Sequence, residues 1–223
     1  MHTHEIGVFK IKKKEVEIVL PEGKFNAVIQ EFEETDRDIL FNIYNEWRSL
    51  SNTLKSLASN ARAVNTPELL SEGIFSLTMG VVRKEEVKGT KNLKPKTSFD
   101  CFDLRTNERI QVKATAVEKD VTSFGPKSVW DKLYFVDFYR KGNWDGTFDI
   151  YLIDNDDIYN HKVNAKQTLK EQQLEGKRPR LSIKSIIKMK DLKPLKSGSL
   201  KLKEDFMDLN RKKSKNQMIQ ENK

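Results

Sequence analysis

The sequence predicts an α/β fold in which helices cover the faces of a central mixed sheet, and three observations predict it. Residues 98–115 alternate apolar and polar side chains on either side of a turn, as a β-hairpin does. The stretch 132–140 is mostly apolar, which is typical of a central strand, and 147–153 fits a following strand. Upstream, apolar residues at spacings of three and four indicate helices. This order of helix, hairpin, crossover and strand favours a mixed sheet with helices on its faces.

The elements before the hairpin follow from local patterns. Residues 5–20 predict one or two strands, because apolar and charged side chains alternate there. Apolar residues with helical spacing predict helix from 28 to 57. Thr66 as N-cap and Pro67 at the first helical position predict a second helix, which we expect to end near Gly80.

Composition bounds the class of protein. The chain has 223 residues, so one domain over residues 1–200 is predicted, followed by a charged tail over 201–223 that forms a frayed helix or is disordered. Its one cysteine, Cys101, excludes an intrachain disulfide and Cys-rich zinc sites. No apolar run approaches the roughly 20 residues of a membrane span, and the N-terminus lacks the apolar region of a secretory signal. A cytoplasmic protein without membrane partners is expected.

The positive charge is concentrated near the C-terminus. The formal net charge is +8, and residues 161–223 hold 18 Lys/Arg against 7 Asp/Glu, a net of +11. A basic segment attached to a nearly neutral body suits a polyanionic partner, of which nucleic acid is the commonest.

One face of the predicted hairpin carries a carboxylate, an amide and an ammonium group. If Thr106–Asn107 forms a two-residue loop, Asp100 faces Lys113 directly and shares its face with Gln111. A four-residue loop keeps these faces, whereas a loop of odd length brings Asp103 to the same face instead. The geometry favours Asp100, with Asp103 left as the alternative.

These side chains suit metal-dependent phosphodiester chemistry. Asp100, the amide oxygen of Gln111 and the backbone carbonyl of residue 112 are hard oxygen donors of the kind that Mg²⁺ prefers. A metal ion there neutralises charge that develops on a phosphate. Lys113 is placed to orient water and to contact the scissile phosphate. The competing interpretation is a structural cross-strand ion pair between Asp100 and Lys113.

The spacing Asp-x(10)-Gln-x-Lys resembles the PD-(D/E)xK nuclease motif, with Phe99 in the Pro position and Gln111 in the usual acidic one. The superfamily often supplies a further carboxylate from the helix just upstream, and Glu72 stands there. The resemblance therefore implies Asp100, Gln111 and Glu72 as metal ligands, with Lys113 completing the catalytic group. A solvated helix face is the alternative interpretation of Glu72.

Three longer stretches resemble a narrower family. Residues 56–77, 98–115 and 122–153 are similar to small Type II restriction endonucleases of the Bsp6I kind. The resemblance covers about residues 45–185, and it implies a PD-(D/E)xK fold with Mg²⁺-dependent cleavage of double-stranded DNA at a short GC-rich palindrome of the GCNGC type. It further implies a catalytic core over about 60–155 and a basic, DNA-contacting part over about 160–200.

Six polar residues outside the hairpin are predicted to contact DNA: Arg62, Asn65, Lys127, Ser128, Arg178 and Arg180. The first two stand in a polar connector, where Arg suits guanine and Asn suits adenine. The middle two stand where the crossover begins and are expected to contact phosphates. The last two flank Pro179, which holds the backbone extended. Solvated loops, or a helix N-cap at the crossover, are the alternatives.

A site-specific endonuclease is the leading prediction for the function. Symmetric cleavage of a palindrome with one active site per chain requires two chains, so a homodimer is expected. A cognate DNA methyltransferase is expected in the same system. The alternatives are a non-catalytic nucleic-acid-binding protein on the same fold, and a modification-dependent or junction-specific DNA nuclease.

Overall fold

The computed structural model describes residues 11–58, 64–140 and 142–201. Ten strands and five α-helices lie in these ranges, together with a 3₁₀ turn at Glu34–Asp36. The strands are β1 Lys12–Leu20, β2 Gly23–Glu31, β3 Val82–Lys88, β4 Cys101–Asp103, β5 Glu108–Thr115, β6 Thr122–Ser123, β7 Lys132–Asp137, β8 Thr147–Ile153, β9 Arg180–Leu181 and β10 Lys196–Ser199. The helices are α1 Arg37–Leu57, α2 Glu68–Met79, α3 Asn155–Tyr159, α4 Leu169–Leu174 and α5 Ile183–Met189.

Eight strands form one mixed sheet in the order β1-β2-β3-β4-β5-β7-β8-β10, and β6 pairs with β9 in a small second sheet. Neighbouring strands of the large sheet are antiparallel except β5 and β7, which are parallel. A parallel pair needs a long connection, and residues 116–131 supply it. This connection, which includes β6, is called the crossover below.

Helices cover both faces of the sheet, as the sequence predicts. On one face, α1 and α2 bury Tyr44 and Phe75 against Val112 of β5. On the other face, the three short helices α3, α4 and α5 pack against Leu133 and Phe135 of β7. The mixed α/β architecture with a restriction-endonuclease-like core is therefore confirmed. No helix in the described ranges is long and apolar enough to cross a bilayer.

The predicted helix over 28–57 is wrong in its first part, because β2 continues to Glu31 and α1 begins only at Arg37. Ile29 fits a helical spacing, but alternation also places it, with Phe25 and Ala27, on the buried face of β2. Pairing with β1 on one side and β3 on the other decides for the strand.

The predicted second helix is confirmed, with a small shift at its start. The residue that caps α2 is Pro67, and no side chain caps it, so the prediction of Thr66 as N-cap is wrong. The helix ends where Gly80 adopts a left-handed conformation with φ of 68°, a conformation that glycine adopts without the steric cost of a side chain.

Strand β3 is absent from the sequence prediction. Its residues Val82–Lys88 carry mostly charged side chains, which local patterns do not assign to the middle of a sheet. Partners from other elements neutralise these charges, as Arg83 pairs with Glu72 of α2 and Lys13 of β1 pairs with Glu85. The strand predicted over 132–140 is real but ends at Asp137.

Candidate active site

The hairpin forms with a longer loop than the two residues proposed first. Cys101 pairs with Ile110 and Asp103 with Glu108, so four residues from 104 to 107 form the loop. The Asp103 carboxylate stabilises this loop by accepting the Arg105 N–H at 2.9 Å, and it also binds the Arg105 guanidinium. Asp103 is thereby committed to the turn, and Asp100 is the acidic residue that remains on the face of interest.

Asp100 lies where β4 begins, held between two strands. Its N–H donates to the Ile110 carbonyl and its carbonyl accepts from the Lys84 N–H, both at 2.9 Å. Its carboxylate accepts the Val112 N–H at 2.8 Å, because β4 begins only at Cys101 and offers Val112 no strand partner. The Asp100 carboxylate is thus fixed at the point where β4 and β5 separate.

Gln111 and Lys113 lie beside this carboxylate. The observed register puts Gln111, rather than Lys113, at the position opposite Asp100, and the Gln111 amide donates to the Asp100 carboxylate. Since the loop length is even, Lys113 stays on the same face, one alternation further along β5. Its ammonium lies 5.6 Å from the centroid of the Phe124 ring. The predicted direct pairing of Asp100 with Lys113 is therefore wrong, whereas their shared face is correct.

Glu72 approaches the same region from α2. It is 8% exposed, and the Arg83 Nε donates to its carboxylate at 2.5 Å. Arg83 also donates to the Gln30 amide oxygen at 2.9 Å. Glu72 is therefore a buried, paired carboxylate, and the interpretation as a solvated helix face is wrong.

Lys84 is a site residue that the sequence does not single out. Its ammonium donates to the Thr97 carbonyl at 2.7 Å, while its N–H donates to the Asp100 carbonyl. Lys84 therefore holds both ends of the segment 97–100 that presents the Asp100 carboxylate. Only the position of β3 next to β4 creates this contact, so no local signal in the sequence could have found it.

Burial without a cation shifts the pKa values of these groups. Burial, helped by the charge of Asp100, raises the pKa of Glu72 to about 7, against the opposing effect of Arg83. Burial also raises the pKa of Asp100, opposed by the Val112 N–H and the charges of Lys113 and Lys84. For Lys84, burial lowers the pKa, opposed by the two carboxylates. Two buried carboxylates that interact unfavourably are a natural place for a cation.

The donor set fits a hard cation only if neutral oxygens contribute. Within the described ranges, no group of three His, Cys, Asp or Glu side chains is arranged to hold a metal. Asp100 and Glu72 supply two carboxylates, and the Gln111 amide and a backbone carbonyl are the further oxygen donors that the sequence predicts. Such a mixed set is acceptable to Mg²⁺, which keeps several waters.

Most of the predicted DNA contacts lie around the crossover. The hydroxyl of Ser98, two residues before Asp100, donates to the Lys127 carbonyl at 3.2 Å and accepts the Val129 N–H at 2.8 Å. These bonds tie Lys127 and Ser128 to the segment that presents Asp100. Lys127 is exposed and Ser128 is half-buried.

The other predicted contacts reach the crossover from two sides. Arg180 pairs with Ser123, and the Phe124 N–H donates to the Pro179 carbonyl at 3.0 Å, so the segment with Arg178 and Arg180 joins the crossover. Both arginines are exposed, and neither forms an ion pair with a residue in the described ranges. Asn65 is exposed and lines a pocket of about 150 Å³ with residues 114–117 and 120–122. Arg62 lies outside the described residues.

Comparisons with known proteins agree with this geometry. A sequence model of the Bsp6I restriction endonuclease family matches residues 32–189. The Type II restriction enzyme Bsp6I from Bacillus sp. (strain RFL6) is 35% identical over 161 residues, which are 70% of this chain and 84% of that enzyme. No solved structure shows a significant match. The chain belongs to the Bsp6I restriction endonuclease family and is a Type II restriction endonuclease.

Proposed function

We propose that this chain cuts double-stranded DNA in a Mg²⁺-dependent reaction at a short GC-rich palindrome of the GCNGC type. The observation that carries the proposal is the Asp100 carboxylate held against Gln111 and the Val112 N–H, with Lys113 on the same face. The target type is supported by the family resemblance of residues 56–77, 98–115 and 122–153. Restriction endonucleases generally use divalent metal ions, and Mg²⁺ suits the oxygen donors of this site.

Asp100, Gln111 and Glu72 would hold the ion. A half-turn of the Gln111 amide exchanges its nitrogen for its oxygen, which makes it a neutral ligand next to the Asp100 carboxylate. Glu72 shares its charge with Arg83. When bound, the ion supplies Lewis acidity that neutralises negative charge on the reacting phosphate.

The chain's own groups orient the reaction. Lys113 brings a positive charge beside Asp100, where an ammonium can donate to a non-bridging phosphate oxygen and to the attacking water. The Phe124 ring forms an apolar wall next to that ammonium. Lys84 acts through Asp100 as a positioning residue, since it holds the segment 97–100 in place.

Contacts away from the scissile bond hold the duplex. We assign phosphate contacts to Lys127 and Ser128, because Ser98 ties their loop to the segment of Asp100. Arg178 and Arg180 are assigned to a groove or to phosphates, and Asn65, together with Arg62, to base edges.

The assembly follows from the symmetry of the target. Two chains related by a twofold axis would place one active site on each strand of a palindrome, so the active species is a homodimer. A cognate DNA methyltransferase would protect the host's own sites. Sedimentation of the DNA complex at a one-chain mass, with double-strand cuts still made, would contradict the dimer.

Plasmid cleavage tests the function. Plasmid DNA with GCNGC sites should give discrete bands in Mg²⁺ and stay intact in EDTA, and sequencing of the ends should locate the cut. Asp100→Ala and Lys113→Ala should each abolish cleavage while specific binding persists, because they remove chemistry rather than docking. Gln111→Glu should retain activity or alter the metal preference.

A matched control is Lys132→Ala, since Lys132 lies on neighbouring β7 and pairs with Glu108 away from the site. It should cut like the wild type. DNA that is bound but never cut would favour the non-catalytic alternative. Cleavage confined to branched or methylated substrates would favour the junction-specific or modification-dependent one. Full activity of Lys113→Ala would remove this motif from the mechanism.

A further inference from the structure

A second concave surface lies between the C-terminal half of α1 and the turn that joins β7 to β8. It is a cleft of about 460 Å³. Two aromatic rings, Tyr139 and Trp144, form part of its wall, edge to face at 6.4 Å between centroids. Polar side chains complete its lining: Arg48, Asn52, Lys55, Asn143, Asp145 and Lys201.

The basic side chains of this cleft lack ion-pair partners. Arg48, Lys55 and Lys201 form no ion pair with any residue in the described ranges, whereas Lys13 and Lys88, near the β1 edge of the sheet, pair with glutamates. The carboxylate in the lining is that of Asp145, which accepts the Thr147 N–H at 2.8 Å and the Thr147 hydroxyl at 2.5 Å. Three cations against one carboxylate make the cleft an anion-binding surface.

The arrangement on α1 is regular. Arg48, Asn52 and Lys55 are exposed and follow one another at spacings of four and three, so they form one row along the helix. The Lys55 ammonium lies 3.8 Å from the centroid of the Trp144 ring, a cation–π contact that holds it at the cleft. A row of donors suits a chain of phosphates better than a single small anion.

The cleft is connected to the active site through β5. The Trp144 indole N–H donates to the Ala116 carbonyl at 2.7 Å, and Ala116 follows Lys113 by three residues. Three extended residues span about 10 Å. Each DNA strand rises about 3.4 Å per nucleotide along the helix axis. The near side of the cleft is therefore about three nucleotides from a phosphate held at Lys113.

We propose that this cleft, with Arg48 and Lys55 as its main contacts, binds backbone phosphates of the substrate duplex about three to five nucleotides from the scissile bond. The proposal rests on the proposed function, because it takes Lys113 as the position of the scissile phosphate. It extends the DNA-binding surface beyond the basic C-terminal segment, to the opposite end of the crossover. Asn52 and Asn143 are placed beside this backbone path.

The test is the salt dependence of DNA binding without divalent ions. Fluorescence anisotropy with a duplex that contains the target should be measured from about 50 to 200 mM salt. The double variant Arg48→Gln/Lys55→Gln should lower the slope of log K against log salt by about 1.8, since each lost phosphate contact removes about 0.9. The matched control Lys13→Gln/Lys88→Gln should leave the slope unchanged, since these lysines already pair with Glu85 and Glu15. An unchanged slope in the cleft variant overturns the proposal.

A second measurement does not depend on a folded variant. Wild-type protein should show a smaller slope on a duplex that ends at the cut than on one extended by about 10 base pairs, one helical turn. Equal slopes on the two duplexes overturn the proposal as well. Plasmid cleavage by the wild type separates this inference from the proposed function. If the protein binds DNA through the cleft but never cuts in Mg²⁺, the nuclease proposal fails and the DNA-binding cleft stands. If it cuts and the cleft variant keeps its slope, the cleft inference alone fails.

Discussion

Replacing Glu72 by Gln should remove a large pH-dependent loss of stability in the absence of divalent ions. The carboxylate is 8% exposed, and burial together with the charge of Asp100 raises its pKa from an ordinary 4.5 to about 7. A carboxyl group with a raised pKa in the folded state favours folding when it is protonated. Its stabilising contribution is thus fully present below about pH 4.5 and is lost as the pH rises to 7. Gln keeps the size of the side chain but does not ionise.

The size of the effect follows from the two pKa values. A shift of about 2.5 units corresponds to about 3 kcal/mol at 1.36 kcal/mol per unit. Wild-type protein should therefore lose about 3 kcal/mol of unfolding free energy between pH 4.5 and 8 through this group alone. For a chain of this size, that equals about 6 to 12 °C in Tm. The Glu72→Gln protein should lack this part of the pH dependence.

Urea unfolding in EDTA at a series of pH values measures the difference. The matched control is Glu46→Gln, because Glu46 is exposed on α1 and its loss should leave the pH profile unchanged. Adding Mg²⁺ at pH 8 should stabilise the wild type more than Glu72→Gln, because a cation favours the charged carboxylate. Parallel pH profiles for wild type and Glu72→Gln would refute the burial argument.

Three further predictions concern stability and DNA binding. Asp131→Ala should destabilise the fold by up to about 3 kcal/mol, measured by urea unfolding, because it leaves the buried Arg109 guanidinium without its partner at 2.8 Å. Arg178→Ala and Arg180→Ala should either weaken binding uniformly with a salt slope lower by about 0.9, if they contact phosphate, or cost about 1–3 kcal/mol at one position of the site, if they contact a base. An unchanged slope together with unchanged specificity would exclude both arginines from the interface. Deleting residues after Lys203 should cost little specificity in cleavage assays, and a loss of target preference would make that tail a recognition element.

The sequence by itself determined which side chains share the active face. Strand alternation puts Asp100, Gln111 and Lys113 together for any loop of even length, so the site could be predicted although the predicted register was wrong. The second helix was equally accessible, because Pro67 and Gly80 act on the backbone locally. Local steric rules and a period of two need no knowledge of distant parts of the chain.

Tertiary structure decided the rest. The register follows from the Asp103 carboxylate in the four-residue loop, and helix α1 starts late because β2 pairs on both sides. Strand β3 is read as polar until Glu72 and other distant partners neutralise its charges, and only its place beside β4 brings Lys84 to the segment of Asp100. These outcomes depend on hydrogen bonds and ion pairs between residues far apart in the chain. Their free energies have no signature in a local pattern of hydrophobicity.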